Sequence, residues 1–253
     1  LLFLKGARLS DIPGGSSRGS APLLLPLLGD YQLRNAMTVL DTVDALRAQG
    51  RNISADAVAR GLAAARWPGR LELVHRRPDL IIDGGHNPQC AQALATSLRG
   101  LYGEKKLIFL IGVLADKDWQ SMVGEVLPLA KAIVTVRPES ERAKDENELA
   151  AWVRAQGVPA EAHASIGEAL DAALALAGPE DAVCAWGSLY SVGELLIVSA
   201  CAEIRPRDFG ILGAPLFREH AYMGGGYCDF KLKLGAEPLP CRPSVLTQAN
   251  DYR

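Results

Sequence analysis

Apolar residues recur every three or four positions from Asp30 to Gln49, at Leu33, Met37, Leu40, Val43 and Leu46. This spacing predicts a helix, and Gly50 ends it. Ser54 is a suitable N-cap for a second helix, Ala55 to Arg66, which Pro68 and Gly69 close. Ahead of both, the run APLLLPLLG, residues 21–29, reads as a short buried strand ending at Gly29. Beyond Gly69 the pattern becomes an alternation. Apolar runs at Leu80–Asp83, Leu107–Gly112, Ala132–Val136 and Ala182–Trp186, with a weaker one at Ala160–Ala164, read as buried strands. Each is followed by a helical period: Pro88–Leu101, Trp119–Leu127, Asn147–Gln156, Ile166–Ala177 and Leu189–Ala200. Strand and helix alternating at this spacing predict right-handed βαβ units. The expected fold class is therefore α/β, a Rossmann-like, mostly parallel sheet with helices on both faces. Residues 1–20, with DIPGGSSRGS, read as loop, and residues 202–253, with RPRD, GGG and PLPCRP, as an irregular tail that packs poorly.

In an open parallel sheet, ligands sit beyond the carboxyl ends of the strands. The polar clusters fall at those ends. Leu80-Ile81-Ile82 runs into Asp83-Gly84-Gly85-His86-Asn87-Pro88. A carboxylate followed by two glycines can accept hydrogen bonds from a ribose diol while the backbone approaches closely. Asn87 caps the next helix with Pro88 in its first turn, so a helix N-terminus suited to an anion faces the spot that His86 enters. The same residues could instead only tie a turn together. Arg70 follows a Trp-Pro-Gly turn, where a guanidinium can grip a phosphate or simply be solvated. Lys117, in GVLADKD, could meet a phosphate or carboxylate, while Asp118 reads as a helix cap. Ser188, in WGSLYSVGE, reads as an N-cap that could also offer its hydroxyl to a carboxylate. Asn35, one turn into the first predicted helix, could read a base edge or be an ordinary polar helix residue. Neither a GxSxG nucleophile elbow nor a GxxxxGK[ST] phosphate loop occurs in the chain.

Composition narrows the partners. With 253 residues, 49% of them hydrophobic, the chain can bury a sizeable core in one large or two smaller domains. Lys plus Arg number 27 against 29 Asp plus Glu, a net charge of −2, so no basic field favours nucleic acid or an anionic membrane. Five scattered cysteines without a CxxC read as reduced thiols in a cytoplasmic protein, not as metal ligands. No run is long and apolar enough to span a bilayer. The chain begins at Leu1, not Met, and is expected to start within a longer protein.

The motifs PLLGDYQLRNA, WPGRLE, DGGHNP, GVLADKD and GSLYSVGE, in this order, resemble folylpolyglutamate synthase and the bifunctional dihydrofolate synthase, members of the Mur ligase superfamily. The resemblance covers about residues 21–197. Tyr31 departs from it, standing where the family has a histidine. A murein ligase is a less close likeness, since the DNPR motif is absent. The resemblance implies that residues 1–69 end a central ATPase domain and that 70–201 form the C-terminal glutamate-ligase domain. It implies ATP with Mg2+, whose ligands would lie outside this chain, and L-glutamate with a folate or dihydropteroate as substrates, handled by a monomer. It implies that Asn35 contacts adenine, Arg70 an ATP phosphate and Asp83 the ribose with His86 beside it. Lys117, Ser188 and His86 would serve the chemistry, the first two facing the incoming glutamate. A non-catalytic Rossmann-type nucleotide-binding module is the alternative for a chain without a phosphate loop.

Overall fold

The structure is a computed structural model that describes residues 23–201, the side chains of 197–201 excepted. Two helices come first, α1 (Asp30–Ala48) and α2 (Ala55–Ala63). The Ser54 hydroxyl caps α2 by accepting the Ala57 N–H at 3.1 Å, as its sequence position predicts. α2 stops three residues before the expected Arg66, and the segment that follows leads into Pro68, whose ring keeps the residue before it out of helical conformation. α1 buries little: Leu33, Met37, Leu40 and Val43 are half-buried, and Gln32 is its one buried residue.

Six strands then form one sheet: β1 (Glu72–His75), β2 (Asp79–Asp83), β3 (Leu107–Ile111), β4 (Ala130–Val136), β5 (Ala160–His163) and β6 (Ala182–Trp186), in the order β1-β2-β6-β3-β4-β5. All neighbours pair in parallel except β1, which runs antiparallel to β2. The helices between them are α3 (Pro88–Tyr102), α4 (Trp119–Val126), α5 (Glu146–Ala155) and α6 (Ile166–Ala175), and α7 (Leu189–Cys201) follows β6.

Two apolar layers cover the sheet. On one face Ile81, Phe109, Ile111, Ile133, Cys184 and Trp186 pack with side chains of α3, α4 and α5. On the other, Leu80, Ile82, Ile108, Leu110, Val134 and Val183 pack with α6 and α7. Residues of one strand alternate between these layers, so the continuous apolar runs are strands buried on both sides. The connections explain which helix lies where. β2 to β3, β3 to β4 and β4 to β5 all step in one direction along the sheet, whereas β5 to β6 steps back. Right-handed crossovers then require α3, α4 and α5 on one face and α6 on the other. β6 therefore lies where the winding reverses, with β2 and β3 on either side. A crevice opens at the carboxyl ends of such strands.

Two expectations need amendment. Residues 23–28 form no strand: Pro26, mid-run, lacks the N–H a paired strand needs. The antiparallel edge strand β1 was not expected, since its four residues carry too little alternation to be legible. Its pairing makes the sheet mixed. The proposed loop at 1–20 and tail at 202–253 lie outside the described residues, apart from the former's neighbours at 23–28.

Candidate functional site

At the end of β2 the Asp83 side chain is 4% exposed and fully engaged. Its Oδ2 accepts the Leu71 N–H at 2.8 Å and its Oδ1 accepts the Gly85 N–H at 2.7 Å. The Tyr31 hydroxyl of α1 lies within electrostatic reach of the same carboxylate. Burial raises the Asp83 carboxyl above its ordinary range, while these bonds and the nearby Arg70 guanidinium pull the other way. Burial, then the Asp83 charge, pushes the Tyr31 hydroxyl up. Gly85 must lack a side chain here: a Cβ would lie 2.8 Å from Asp83 Oδ1 and 3.0 Å from Cys90 Cβ.

Next come His86 and the helix start. The Asn87 Oδ1 accepts the Cys90 N–H at 2.8 Å and Pro88 occupies the first turn of α3, as the sequence implied. His86 Nδ1 lies 2.9 Å from the Gly84 carbonyl oxygen. A carbonyl only accepts, so Nδ1 carries the proton and Nε2 is left as an acceptor.

Arg70 sits between two residues of positive φ, Gly69 at 69° and Leu71 at 46°. Both are pinned. The Gly69 carbonyl accepts the Gly84 N–H at 2.7 Å, which ties this turn to the end of β2. The Gly69 N–H donates to Glu72 Oε2 at 2.8 Å, and the Leu71 N–H is the one held by Asp83. Burial raises the Glu72 carboxyl, opposed by the Gly69 bond. The half-buried Arg70 is thus presented beside Asp83 and within electrostatic reach of Tyr31. Asn35 lies one turn beyond Tyr31 on α1, exposed, with its Nδ2 donating to Gln32 Oε1 at 2.9 Å. Residues four apart share a helix face, so Asn35 stands on the side of α1 that carries Tyr31 to Asp83.

The remaining two strand ends border the same reversal. Ser188, 1% exposed, accepts the Tyr190 N–H on its Oγ at 3.2 Å, which is a helix cap for α7. The groups exposed at that helix start are Leu189 and Tyr190. Beyond β3, Lys117 Nζ is 4.0 Å from Asp116, which also pairs with Arg142 at 3.0 Å. Asp118 caps α4 through the Ser121 N–H at 3.2 Å. The Arg142 pKa is raised by its interactions with Tyr190 and Asp116. The structure brings Arg70, Asp83 and His86 together on one turn system. Lys117 and Ser188 stand on the adjoining loops. Sequence reasoning missed Tyr31, Glu72 and Arg142 as partners. Glu72 was legible as the acid of WPGRLE, three residues after the glycine it caps; nothing in the sequence marks Arg142.

Among the described residues, no group of three or more His, Cys, Asp or Glu could hold a metal ion, and no helix is long and apolar enough to cross a membrane.

The chain is similar in sequence and fold to known proteins. Residues 69–189 match the family model described as Mur ligase, glutamate ligase domain. A probable bifunctional folylpolyglutamate synthase/dihydropteroate synthase of Haloferax volcanii is 38% identical over 172 residues, covering 67% of this chain and 20% of that protein. The dihydrofolate synthase/folylpolyglutamate synthase of Mycobacterium tuberculosis is 37% identical over 130 residues, covering 51% of this chain and 27% of that protein. Among solved structures, M. tuberculosis folylpolyglutamate synthase complexed with ADP and AMPPCP superposes with a TM-score of 0.65 at 29% identity, over 71% of this chain and 42% of that one. E. coli FolC in complex with DHPP and ADP gives 0.64 at 30% identity, over 72% and 42%. The chain thus spans under half the length of these relatives and structures. Residues 69–189 belong to the Mur ligase glutamate-ligase domain family, and the chain corresponds to the C-terminal portion of the folylpolyglutamate synthase/dihydrofolate synthase branch.

Proposed function

We propose that this chain is the nucleotide-facing C-terminal part of a cytoplasmic, ATP-dependent ligase that joins L-glutamate to a folate or dihydropteroate carboxylate. In that reaction the acceptor carboxylate is phosphorylated by ATP, and the glutamate amine then displaces phosphate to leave an amide. The observation that carries the reading is Arg70: a guanidinium held rigidly on a turn, beside the Gly84-Gly85-His86 loop and the N-terminus of α3. That donor set suits a nucleotide phosphate. In this reading Arg70 holds a phosphate, and His86 Nε2 accepts a hydrogen bond or proton at the same spot. Asn35 faces the base. Asp83 reaches the ribose only through lone pairs left over from its two backbone donors. Lys117 supplies a cation for a carboxylate of the incoming glutamate, and Ser188 sets the start of α7. Among the described residues no cluster of His, Cys, Asp or Glu could ligate Mg2+.

Titration of the purified chain with ATP tests this reading. Binding is expected, and Arg70→Ala should weaken it roughly tenfold to a hundredfold, the worth of one charge-assisted contact. Equal affinity in the variant would remove Arg70 from the site. A second reading, a nucleotide-binding module without catalysis, is favoured by the absence of a GxxxxGK[ST] loop from the sequence. The chain by itself is expected to form no amide from ATP, glutamate and a folate. Amide formation would show that its own residues suffice for the chemistry.

A further inference from the structure

We infer that Glu72 is a positioning residue for Arg70, acting on the backbone of its turn and not on its guanidinium. The functional half of this inference rests on the reading of Arg70 as a phosphate ligand. Glu72 opens β1, and its side chain folds back across three residues so that Oε2 takes the Gly69 N–H at 2.8 Å. Gly69, at φ 69°, occupies a backbone region that glycine enters without strain, and its N–H meets the Glu72 carboxylate. On the other side of Arg70, Asp83 takes the Leu71 N–H at 2.8 Å. Leu71 is held at φ 46°, where a branched side chain is strained, so something must hold it there. Arg70 is therefore bracketed by two strained or special backbone positions, one fixed by the half-buried Glu72 carboxylate and the other by the buried Asp83 carboxylate. Leu71 itself is buried, and Gly69 is jammed against α7, where a Cβ would come 2.5 Å from Val192 Cγ1. With backbone freedom removed on both sides, the only freedom left to Arg70 is in its side chain. Even half-buried, this carboxylate is raised by desolvation, so capping one N–H with it carries a cost. The cap gives the guanidinium a fixed origin, and that lowers the entropic cost of gripping a phosphate.

Amide hydrogen exchange and ATP binding on the full 253-residue chain test the inference together. Glu72→Leu keeps packing volume without an acceptor and should speed exchange of the Gly69 amide by roughly tenfold or more. Glu72→Gln restores an acceptor and should keep exchange within about threefold of the original chain. ATP affinity should fall roughly tenfold in Glu72→Leu, yet by no more than about twofold when the same change is made in Arg70→Ala, because a loss transmitted through Arg70 cannot occur twice. Unchanged Gly69 exchange in Glu72→Leu, failure of Glu72→Gln to restore it, or equal affinity losses in the two backgrounds would each overturn the inference. A chain that binds no ATP would contradict the nucleotide reading, and Gly69 exchange would then decide the positioning role alone.

Discussion

Asp83 shows how one buried side chain can organise a site. Its two oxygens hold the Leu71 and Gly85 N–H groups, and the Tyr31 hydroxyl of α1 stands within electrostatic reach. Asp83→Ala would leave buried donors without an acceptor, at about 1–3 kcal/mol each. Thermal unfolding should record a fall in Tm of several degrees; a Tm unchanged within about one degree would mean that these bonds contribute nothing. Asp83→Asn should be nearly as harmful, since one of two N–H groups would meet an NH2 in place of an oxygen. The carboxyls of Asp83 and Glu72 are both raised on folding, chiefly by burial. A raised carboxyl binds its proton more tightly folded than unfolded. Its contribution to stability is therefore full below the unfolded pKa, about 4 for a carboxyl, and is lost as pH rises through the folded value. Glu72→Gln does not titrate, so its stability relative to the original chain should increase as pH rises above about 4.3. Denaturant midpoints at pH 4 and pH 7 check this; a constant or shrinking difference would contradict it.

Among the elements, the junction of the Arg70 turn with α7 is the sharpest test of packing. Gly69 combines φ 69° with a neighbour, Val192 Cγ1, only 2.5 Å from where a Cβ would stand. Gly69→Ala should cost about 1–2 kcal/mol in backbone strain, plus whatever α7 must yield. Adding Val192→Ala should recover the packing share and leave the strain. A double variant no more stable than Gly69→Ala would show that Val192 is not the obstacle. The elements that sequence made legible were those with long periods or continuous burial, such as α3, β3 and β6, because burial on both faces leaves unbroken apolar runs. The caps Ser54, Asn87 and Asp118 were legible too, because capping is local chemistry. β1 was not, being a four-residue edge strand whose pairing with β2 is a tertiary fact. The 21–29 run misled because hydrophobicity was weighed above Pro26. At the site, Asp83, His86 and Arg70 stood out by motif and strand-end position. Their tie through Tyr31 and Glu72 depends on how α1 and β1 fold against β2, which no spacing reveals.

At the scale of the molecule, the winding reversal at β6 gathers the ends of β2, β3 and β6 into one region, with α3 and α7 on opposite faces of the sheet. The site's location follows from this topology and not from any single motif. The opposite end of the sheet offers a contrasting surface, where Arg99, Lys105 and Lys106 line a shallow depression with Pro128. The two lysines there already donate to the Glu180 and Pro128 carbonyls. A nucleotide is expected to choose the β2–β6 end despite these cations. Amide chemical-shift mapping of the 253-residue chain with added ATP decides this most directly. The largest shifts should cluster at Gly69–Leu71, Gly84–Asn87 and the first turn of α3. Shifts centred instead on Arg99 and Lys105–Lys106, or no saturable shifts at all, would contradict it.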